Sequence, residues 1–508
     1  MDEREHIQKL RRLKVIITEV LMVIATILLV VALTFVVMGY SFNLCEFARG
    51  GGEVIERTGL LQIASLPTGA TIGIDGGTPL LLRTNASRTV VSGEHEITLT
   101  KDGYDSWKKV VNVSEGMMYR LNYPRLFLLE REEEEILDLK GYTFISVAPS
   151  KTKILFGKEG KLYVATLVAK PVVKELAAVA QKIETFEEIG WSGNSEKLVA
   201  KVNGEVYIIN TRAAEESVRL GSIFGGKVDE VKFESETGDR VLVKSEGKVV
   251  EIDIKSKTVG LVGEGVEFDN DGERVVFVSK EKAVKKSAEE DTDGTEGGSE
   301  GVEAAGEGLA MMAARVGEEA YQIGVVSEGA KVLTMKYYQE MYFLVVEGRK
   351  VRVLMAQGWP VSEEEVSVVY EGEVEFSVER IEKRGKGMVF VVEGAEKVAV
   401  FDIEALVMEE YEAKEGGWLN EFMRYEIDEG ELFAVDYDGN NRRALVEKAE
   451  NSGEEEDGEN LEGEVSEREE GSGEASGVVS GAGVEWATFG GRYLYFVRGG
   501  KLIREKVY

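Results

Sequence analysis

The chain has 508 residues, a net charge of −32, one cysteine and two histidines. Acidic residues outnumber basic ones 93 to 61. No surface is therefore expected to be basic enough to bind the phosphate backbone of a nucleic acid, and we predict no nucleic-acid partner. A single cysteine excludes an internal disulfide. Beyond residue 96 the absence of histidine and cysteine excludes Ser-His-Asp and Cys-His sites and most zinc sites. We therefore predict no catalytic, cofactor-binding or metal-binding residues, no cofactor and no enzymatic activity.

An apolar run predicts a transmembrane helix over residues 16–40. Residues 20–39 carry no charge, and a bilayer core of ~30 Å needs about 20 such residues. The run is longer than the apolar region of a cleaved signal peptide, so we expect an uncleaved signal anchor. Basic residues are concentrated before the run, which predicts a cytoplasmic N-terminus over residues 1–15 and a single-pass cell-membrane protein with extracytoplasmic domains.

Residues 41–59 are predicted to be a linker. Cys45 lies in it, and the preceding "FNL" lacks the small residues that lipoprotein processing needs. We interpret Cys45 as a free juxtamembrane thiol rather than a lipidated residue.

Residues 60–124 contain five or six short alternating strands separated by turns, which predicts a small antiparallel β-sandwich. The phrases "PTGATIGIDG" (67–76) and "GEHEITLTKDGYDSW" (93–107) resemble the PEGA domain family, although Thr68 stands where the family motif has Glu. The resemblance implies a non-catalytic module on the extracytoplasmic part of a bacterial or archaeal protein. His95 has no second His or Cys nearby, so we interpret it as structural. The sequons at Asn85 and Asn112 are taken as chance matches.

From about residue 140 the chain repeats a unit of strand, glycine turn and strand. Most copies begin roughly 34 to 46 residues apart, and the two longer gaps contain acidic runs of about 25 residues, so the period is about 40, as in a β-propeller blade. The inner strands of the copies are predicted to begin at Lys153, Lys197, Arg240, Arg274, Met341, Gly387, Glu431 and Arg492.

The phrases "FDNDGERVVFVS" (268–279) and "LFAVDYDGNNRRALV" (432–446) resemble TolB-type propellers and their WD-like relatives. We predict a seven- or eight-bladed β-propeller over residues 125–508, with residues 125–139 as a closing strand or a connector. The overall prediction is a mainly β chain: transmembrane helix, PEGA-like sandwich, propeller.

Acidic residues in two of the turns are reminiscent of calcium loops. Asp269, Asp271 and Glu273 form one such group, and Asp436 with Asp438 forms another. A full calcium loop is about twelve residues long and ends in a bidentate Glu, which neither stretch matches. We interpret both as hairpin turns, where Asp, Asn and Gly accept the backbone angles.

Two acidic low-complexity segments interrupt the repeats, at about 285–318 and 448–480. Their high charge and low hydrophobicity predict disorder. They are interpreted as solvated spacers. The alternative is that these flexible acidic chains repel neighbouring molecules or attract basic surfaces or cations.

These features favour a membrane-anchored, extracytoplasmic binding or scaffold protein of the cell envelope that presents a propeller to an envelope protein or a glycan. One alternative is a propeller glycoside hydrolase, which needs only paired carboxylates. Another is the ligand-sensing subunit of a membrane signalling complex.

Overall fold

The computed structural model describes residues 3–37, 40–42, 55–77, 82–176, 179, 182–234, 236–285, 304–315, 317–360, 362–384, 389–404, 406–446 and 483–508. Cys45 and the predicted acidic segment at 448–480 lie outside these residues. The chain divides into two compact units, Met1–Glu130 with Tyr508, and Arg131–Val507. Each unit is described by itself.

The first unit begins with helix α1 (Glu3–Val37), which contains the apolar run. Among the described residues, no helix has the length and apolar character needed to cross a membrane.

The remainder of the first unit contains the predicted β-sandwich, with two corrections. Strands also form at Tyr40–Phe42 and from Ile55 onward, where a linker was predicted, and Met118–Leu121 pairs in parallel with Ile55–Ile63 in a sandwich predicted to be antiparallel. One sheet has the order β1-β2-β4, with β7 parallel to β2, and the other has the order β3-β5-β6. The strands are β1 (Tyr40–Phe42), β2 (Ile55–Ile63), β3 (Thr71–Ile74), β4 (Ala86–Val91), β5 (Gly93–Thr100), β6 (Trp107–Val113) and β7 (Met118–Leu121).

Strand β6 shows why this segment packs as a half-buried sheet. Its residues alternate strictly between buried and exposed, and Trp107 is fully buried at the first position. The alternation has the two-residue period of a strand with one face on the core. Lys109 takes a core position, and its ammonium donates a hydrogen bond to the Tyr123 hydroxyl at 2.9 Å, so the buried charge keeps a polar partner.

The second unit is built from antiparallel sheets that follow one another along the chain. Its strands are β8 (Glu133–Asp138), β9 (Tyr142–Val147), β10 (Lys153–Lys158), β11 (Lys161–Thr166), β12 (Val173–Glu175), β13 (Phe186–Trp191), β14 (Lys197–Val202), β15 (Glu205–Asn210), β16 (Val218–Arg219), β17 (Glu230–Phe233), β18 (Arg240–Ser245), β19 (Lys248–Asp253), β20 (Thr258–Asn270), β21 (Val275–Lys285), β22 (Ala304–Ala314), β23 (Tyr321–Val326), β24 (Lys331–Tyr337), β25 (Glu340–Glu347), β26 (Lys350–Ala356), β27 (Ser367–Glu373), β28 (Arg380–Arg384), β29 (Val389–Glu393), β30 (Lys397–Asp402), β31 (Val407–Glu412), β32 (Gly416–Asn420), β33 (Met423–Asp428), β34 (Glu431–Asp436), β35 (Arg443–Val446), β36 (Val484–Gly490), β37 (Tyr493–Arg498) and β38 (Lys501–Lys506). A short helix, α2 (Gly221–Phe224), and 3₁₀ turns at Ala214–Glu216 and Glu363–Glu365 lie between strands.

The described strands form eight four-stranded blades. Blades 1 and 2 are β9–β12 and β13–β16, blades 5 to 7 are β24–β27, β28–β31 and β32–β35, and blade 8 has the order β36-β37-β38-β8. Blades 3 and 4 share the long strand β20. Its residues up to Glu264 pair with β19, and those from Gly265 onward pair with β21.

Each blade packs its faces against its neighbours, which explains why the second strands are almost continuously buried. In β10 and β14 both faces of the strand are covered, unlike the alternating pattern of the sandwich. Separate apolar cores join blades 1–2, 2–3, 3–4, 4–5, 5–6 and 8–1. Trp418 of blade 7 hydrogen-bonds Glu393 of blade 6, and the amide of Val484 in blade 8 donates to Gly430 of blade 7. These contacts complete a β-propeller.

Strand β8 confirms the closing strand predicted within residues 125–139. It is the outermost strand of blade 8 and pairs with β38, far away in sequence. Arg504, Arg498 and Lys501 form ion pairs with successive glutamates of β8 across this seam. The glutamate run, for which a closing strand and a connector were both left open, is therefore half of an interstrand charge ladder.

Two sequence predictions need correction. The strands assigned as inner strands are the second strands of their blades, and the assignment at Glu431 is one strand late, because Glu431 begins the third strand of blade 7. The predicted disorder over 285–318 fails at Ala304–Ala314, which forms β22 between β21 and β23. The apolar "GLAMMAA" at its end buries Met311 in the core between blades 4 and 5. Residues 286–303 lie outside the described chain.

We predict that L502A destabilises the propeller by about 2–5 kcal/mol, because Leu502 is fully buried in the core that joins blades 8 and 1. L261A makes the same truncation on the outer strand of blade 3, where Leu261 is 57% exposed, and is expected to cost less than about 0.5 kcal/mol. Urea unfolding of both variants measures the difference. Equal losses would contradict the packing of the ring at its seam.

Candidate binding site in the propeller channel

The first strand of each blade lies at the centre of the propeller. The pairs β13/β17, β20/β24, β24/β28 and β32/β36 contact one another, although they belong to successive blades. In a propeller only the strands nearest the axis approach in this way. Many side chains on these strands are charged, as in "FEEIGW" of β13 and "RIEKR" of β28, so the channel is polar.

One lysine crosses the channel wall. Lys383 of blade 6 donates hydrogen bonds to the Asp269 carboxylate of blade 4 at 3.0 Å and to the Thr334 carbonyl of blade 5 at 3.0 Å. Asp269 also accepts the Thr334 amide at 2.9 Å and is almost fully buried. The Lys383 ammonium thus donates to oxygen acceptors of blades 4 and 5, and the group is a structural connection between three blades.

A second group, which we call the channel cluster, comprises Lys151, Glu188, Arg380, Glu382, Arg384 and Trp418. Its members come from blades 1, 2, 6 and 7. Lys151 lies in the turn after β9, and Arg384 ends β28. The charges of Arg384, Glu188 and Glu421 all act on the Lys151 ammonium. The direct contact between blades in this cluster is that of Arg384 with Trp418, while the charges of the other members act on Lys151 over longer distances.

The Lys151 ammonium is charged but poorly neutralised. Burial, and then the repulsion of Arg384, lower the pKa of Lys151 to about 8, while Glu188 and Glu421 oppose the shift. Among the described residues, no hydrogen bond or ion pair to the Lys151 ammonium is found.

Arg384 is held rigidly in the cluster. Its guanidinium stacks over the Trp418 ring with 4.5 Å from its central carbon to the ring centroid, and one of its terminal nitrogens pairs with Glu382 at 2.5 Å. Glu382 also pairs with Arg380. The Nε of Arg384 is buried, and within the described part of the chain it has no hydrogen-bond partner.

Glu188 supplies the facing carboxyl group. Burial raises the pKa of Glu188, and hydrogen bonding with Ser146, the charges of Arg380 and Lys151, and contact with Trp191 limit the rise. The Trp191 indole donates to the Ser146 hydroxyl at 2.7 Å, which fixes this corner of the channel. Chemically, the cluster offers fixed hydrogen-bond donors and the carboxyl groups of Glu188 and Glu382 beside the aromatic face of Trp418.

An open groove on the side of the propeller, between blades 6 and 7, differs from the channel. It has a volume of about 740 Å³ and is lined by charges that include Lys397, Lys414, Glu426 and Arg442. These charges already form ion pairs with residues of the propeller. The charged side chains of the groove are therefore already paired within the propeller.

A close pair of carboxyl groups occurs in blade 3. Burial and a hydrogen bond with Glu251 raise the pKa of Glu234 well above its usual range, and Arg240 contacts both side chains. Glycosidases keep their two carboxyl groups at least about 5 Å apart, with the sugar between them. A directly hydrogen-bonded pair leaves no such space, so these two residues do not form the paired-carboxylate site of the hydrolase alternative.

The acidic residues of these turns behave as the hairpin interpretation predicts, except Asp269, which lies within β20, is buried and accepts the Thr334 amide of blade 5. The Asp271 carboxylate accepts the backbone amides of Glu273 and Arg274, each at 2.9 Å, and Glu273 pairs with Arg315. Asp438 likewise accepts the Asn440 amide at 3.1 Å. Asp436 accepts the side-chain amide of Asn441 at 3.0 Å. In the described chain no cluster of three or more His, Cys, Asp or Glu is placed to hold a metal ion.

His95, in the sandwich, is bound by two acceptors. Its Nδ1 lies 2.7 Å from the Asp75 carboxylate and its Nε2 lies 2.6 Å from the Val91 carbonyl. Burial opposes protonation, but the Val91 and Asp75 contacts outweigh it and raise the pKa of His95 above its ordinary 6.5. Two acceptors require two N–H groups, so the geometry fits an imidazolium that ties β5 to the turn after β3.

We predict that His95 titrates above pH 6.5 in an NMR titration of ¹³C-labelled histidine, where H6Q assigns the two resonances. D75N should lower this pKa, whereas D102N, which removes an exposed acid, should not. Because the folded pKa is raised, the stability that the pair contributes, about 1 kcal/mol or less, is complete below pH 6.5 and is lost as the pH rises through the folded pKa. A His95 pKa at or below 6.5 would contradict the ion pair.

The comparison with protein families agrees with the predicted PEGA-like sandwich. The PEGA domain family matches residues 58–125. No curated protein matches the chain. The solved structures that resemble it are distant. The yeast Nup82–Nup159–Nup116 nucleoporin complex shares 7% identity with a TM-score of 0.39 and covers 59% of this chain and 96% of its own. The Cps50 (Swd1) β-propeller domain of Myceliophteria thermophila shares 8% identity with a TM-score of 0.36 and covers 74% of this chain and all of its own.

Apo AztD from Citrobacter koseri shares 10% identity with a TM-score of 0.35 and covers 74% of this chain and 94% of its own. Likeness at this level carries no functional argument, and the blade assignment rests on the strand pairings above. The chain thus carries a PEGA domain at residues 58–125, followed by a β-propeller.

Proposed function

We propose that this protein is a non-enzymatic binding or scaffold protein of the cell envelope, whose propeller presents its channel to a protein or glycan partner. The observation that carries the proposal is the channel cluster, in which Glu382 pairs with both Arg380 and Arg384 and the Arg384 guanidinium stacks on Trp418. The Arg380 side chain is mostly exposed, so its charge is open to a partner.

The rigidity of the site supports a role for the propeller in binding a partner rather than as a structural spacer. Arg384 is fixed by Trp418 and Glu382, and Lys383 ties blades 4, 5 and 6 together next to it. Donors that are already oriented lose little conformational entropy when a partner docks.

We further propose that α1 anchors the protein in the membrane, with the N-terminus in the cytoplasm and both β units outside. Support comes from the uncharged run 20–39 and from the basic residues before it. The large apolar side chains described between Ile16 and Leu33 are 45–66% exposed. An apolar surface of this extent on every side of a helix is unfavourable in water, and the hydrocarbon core of a bilayer would bury it.

The partner is tested by crosslinking in intact cells and purification of the full-length protein. We expect a specific envelope protein or glycan to be captured, and R380E to reduce the yield at least fivefold, because it reverses a channel charge that is 67% exposed. R212E reverses a charge on the outside of the propeller that is 79% exposed and should capture normally. Equal capture by wild type and R380E would exclude the channel as the binding surface.

The anchor is tested by alkaline carbonate extraction of membranes. We expect wild-type protein to stay in the membrane pellet and the double variant I24K/L28K to move to the supernatant, since each lysine at a helix centre costs about 2.5–3.5 kcal/mol on insertion. L261K, on an exposed propeller strand, is the control and should stay in the pellet. Extraction of the wild-type protein itself would refute the anchor.

A further inference from the structure

Two neighbouring blades expose large apolar side chains from a backbone conformation that favours other residue types. Tyr338, in the turn between β24 and β25, has φ 52°, and Leu406, immediately before β31, has φ 53°. The next turn of blade 5 has Gly348 at the position of Tyr338, and blade 3 has Lys257 at the position of Leu406. The other described non-glycine residues with positive φ are all polar or charged. Because a Cβ atom is disfavoured in this region, the fold alone does not require a tyrosine or a leucine here.

Both side chains lie at the surface. The exposed fraction is 71% for Tyr338, higher than for any other large apolar side chain in the described chain, and 42% for Leu406. Val407, which follows Leu406, is 48% exposed. Side chains that add little burial to their own fold and occupy a disfavoured backbone region are typical of surfaces that contact another molecule, where tyrosine is enriched.

The two turns are held together by Tyr337. Its ring lies edge-on to the Tyr338 ring, with 4.6 Å between the centroids, and packs against the core between blades 5 and 6. Its hydroxyl donates a hydrogen bond to the carboxylate of Glu404, in the turn that contains Leu406. These contacts restrict the orientation of the Tyr338 ring. We call the surface formed by Tyr337, Tyr338, Glu340, Glu404 and Leu406 the tyrosine surface.

Glu340 supplies an acidic group to this surface. It is paired with Tyr337 across the ladder between β24 and β25, so the two side chains lie on one face of blade 5. The Glu340 carboxylate accepts hydrogen bonds from the Tyr342 hydroxyl at 2.7 Å and from the Gln357 side-chain amide at 3.0 Å. Both donors are neutral, and within the described chain no basic side chain forms an ion pair with this carboxylate.

The propeller itself indicates which group such a combination binds. Arg504 lies over the Tyr493 ring, 4.6 Å from its centroid, and pairs with Glu134. Arg384 lies over the Trp418 ring in the same way. A planar guanidinium can stack on a ring and pair with a carboxylate at the same time, whereas an ammonium is a more strongly hydrated point charge. The tyrosine surface has the exposed ring and the carboxylate, so an arginine from another molecule would complete the same arrangement.

We propose that the tyrosine surface binds an arginine side chain in a basic segment of a partner protein, a contact that goes beyond the proposed channel function and does not depend on it. The guanidinium stacks on the exposed Tyr338 ring and pairs with the Glu340 carboxylate. Leu406 packs against the methylene groups of the arginine or against its apolar neighbours. The net charge of −32 favours a basic segment over an acidic one.

Ligand-observed NMR with the full-length protein in detergent micelles tests the proposal, because this method detects weak binding, and empty micelles are the reference. The probe is acetyl-Leu-Arg-Leu-amide. Its citrulline analogue has nearly the same shape without the charge, and its lysine analogue keeps the charge without the planar group. We expect saturable binding of the arginine peptide, about tenfold weaker binding of the citrulline peptide and intermediate binding of the lysine peptide. Screening by about 1 M salt should also weaken binding.

Two variants locate the site. Y338G places the glycine of the next turn in this one, so the backbone accepts it, and should weaken binding of the arginine peptide about fivefold. E340Q keeps a hydrogen-bond acceptor but removes the charge, and should weaken binding about threefold. Two controls should bind as the wild type does. L261A removes an apolar side chain that is 57% exposed on blade 3, and E159Q removes an exposed acid in a turn of blade 1.

Three results would each overturn the proposal: a citrulline peptide that binds as tightly as the arginine peptide, Y338G and E340Q with the affinity of the wild type, or no saturable binding. Maltotriose tests a glycan as the occupant. Its binding, with loss in Y338G and without binding of the arginine peptide, would replace the proposal by a sugar site. Failure of the channel function gives a different pattern. If R380E captures the envelope partner as the wild type does while the arginine peptide binds, the tyrosine surface stands and the channel function does not.

Discussion

Strand β8, near the start of the propeller, hydrogen-bonds to β38, near its end, and this pairing closes the ring. Without it blade 8 would have three strands and an unpaired outer edge, and the core between blades 8 and 1 would lose its cover. Each blade uses both faces for packing, so an open ring would also expose the outer faces of its two end blades. The charge ladder of Arg498, Lys501 and Arg504 lies over the seam, and the buried apolar contacts supply most of the stability.

Closure also creates the channel cluster. Lys151 belongs to blade 1 and Arg384 to blade 6, so their distance depends on the angle through which the whole ring turns. A protein with a net charge of −32 repels anions at long range, but at physiological ionic strength that repulsion fades within about 8 Å. The charged groups of the channel cluster therefore act locally and are little affected by the net charge of the protein.

The architecture was predictable from the sequence because strand periodicity and glycine turns are local signals. The sandwich strands, the closing strand and the propeller period of about 40 residues all follow from them. The start of blade 7 was misassigned at Glu431 because the long acidic segment that follows that blade masks the period. Strand β22 was missed because its acidic beginning resembles the disordered run, and only the buried apolar "AMMAA" reveals it.

The channel cluster could not be predicted in the same way, because Lys151, Glu188, Arg384 and Trp418 are dispersed over more than half of the propeller sequence and form no motif. One weak signal exists. When the turns of blades 1 and 2 are aligned, "PSKTK" stands over "GNSEK", and a lysine occupies a position where the neighbouring blades have serine or glycine. The clustering itself requires the closed ring, which no local pattern describes.

The seam has a consequence for the synthesis of the protein. Arg504 and its partner Glu134 are separated by 370 positions, and ribosomes add roughly 5–20 residues per second. The first-made strand of blade 8 therefore waits about 20–70 seconds for the strand that completes it. During that interval β8 is a free edge with three consecutive glutamates, Glu133 to Glu135. The glutamates of β8 repel the β8 strands of other copies of the chain. Chains that are being translated from the same mRNA therefore pair less readily with one another before each propeller has closed.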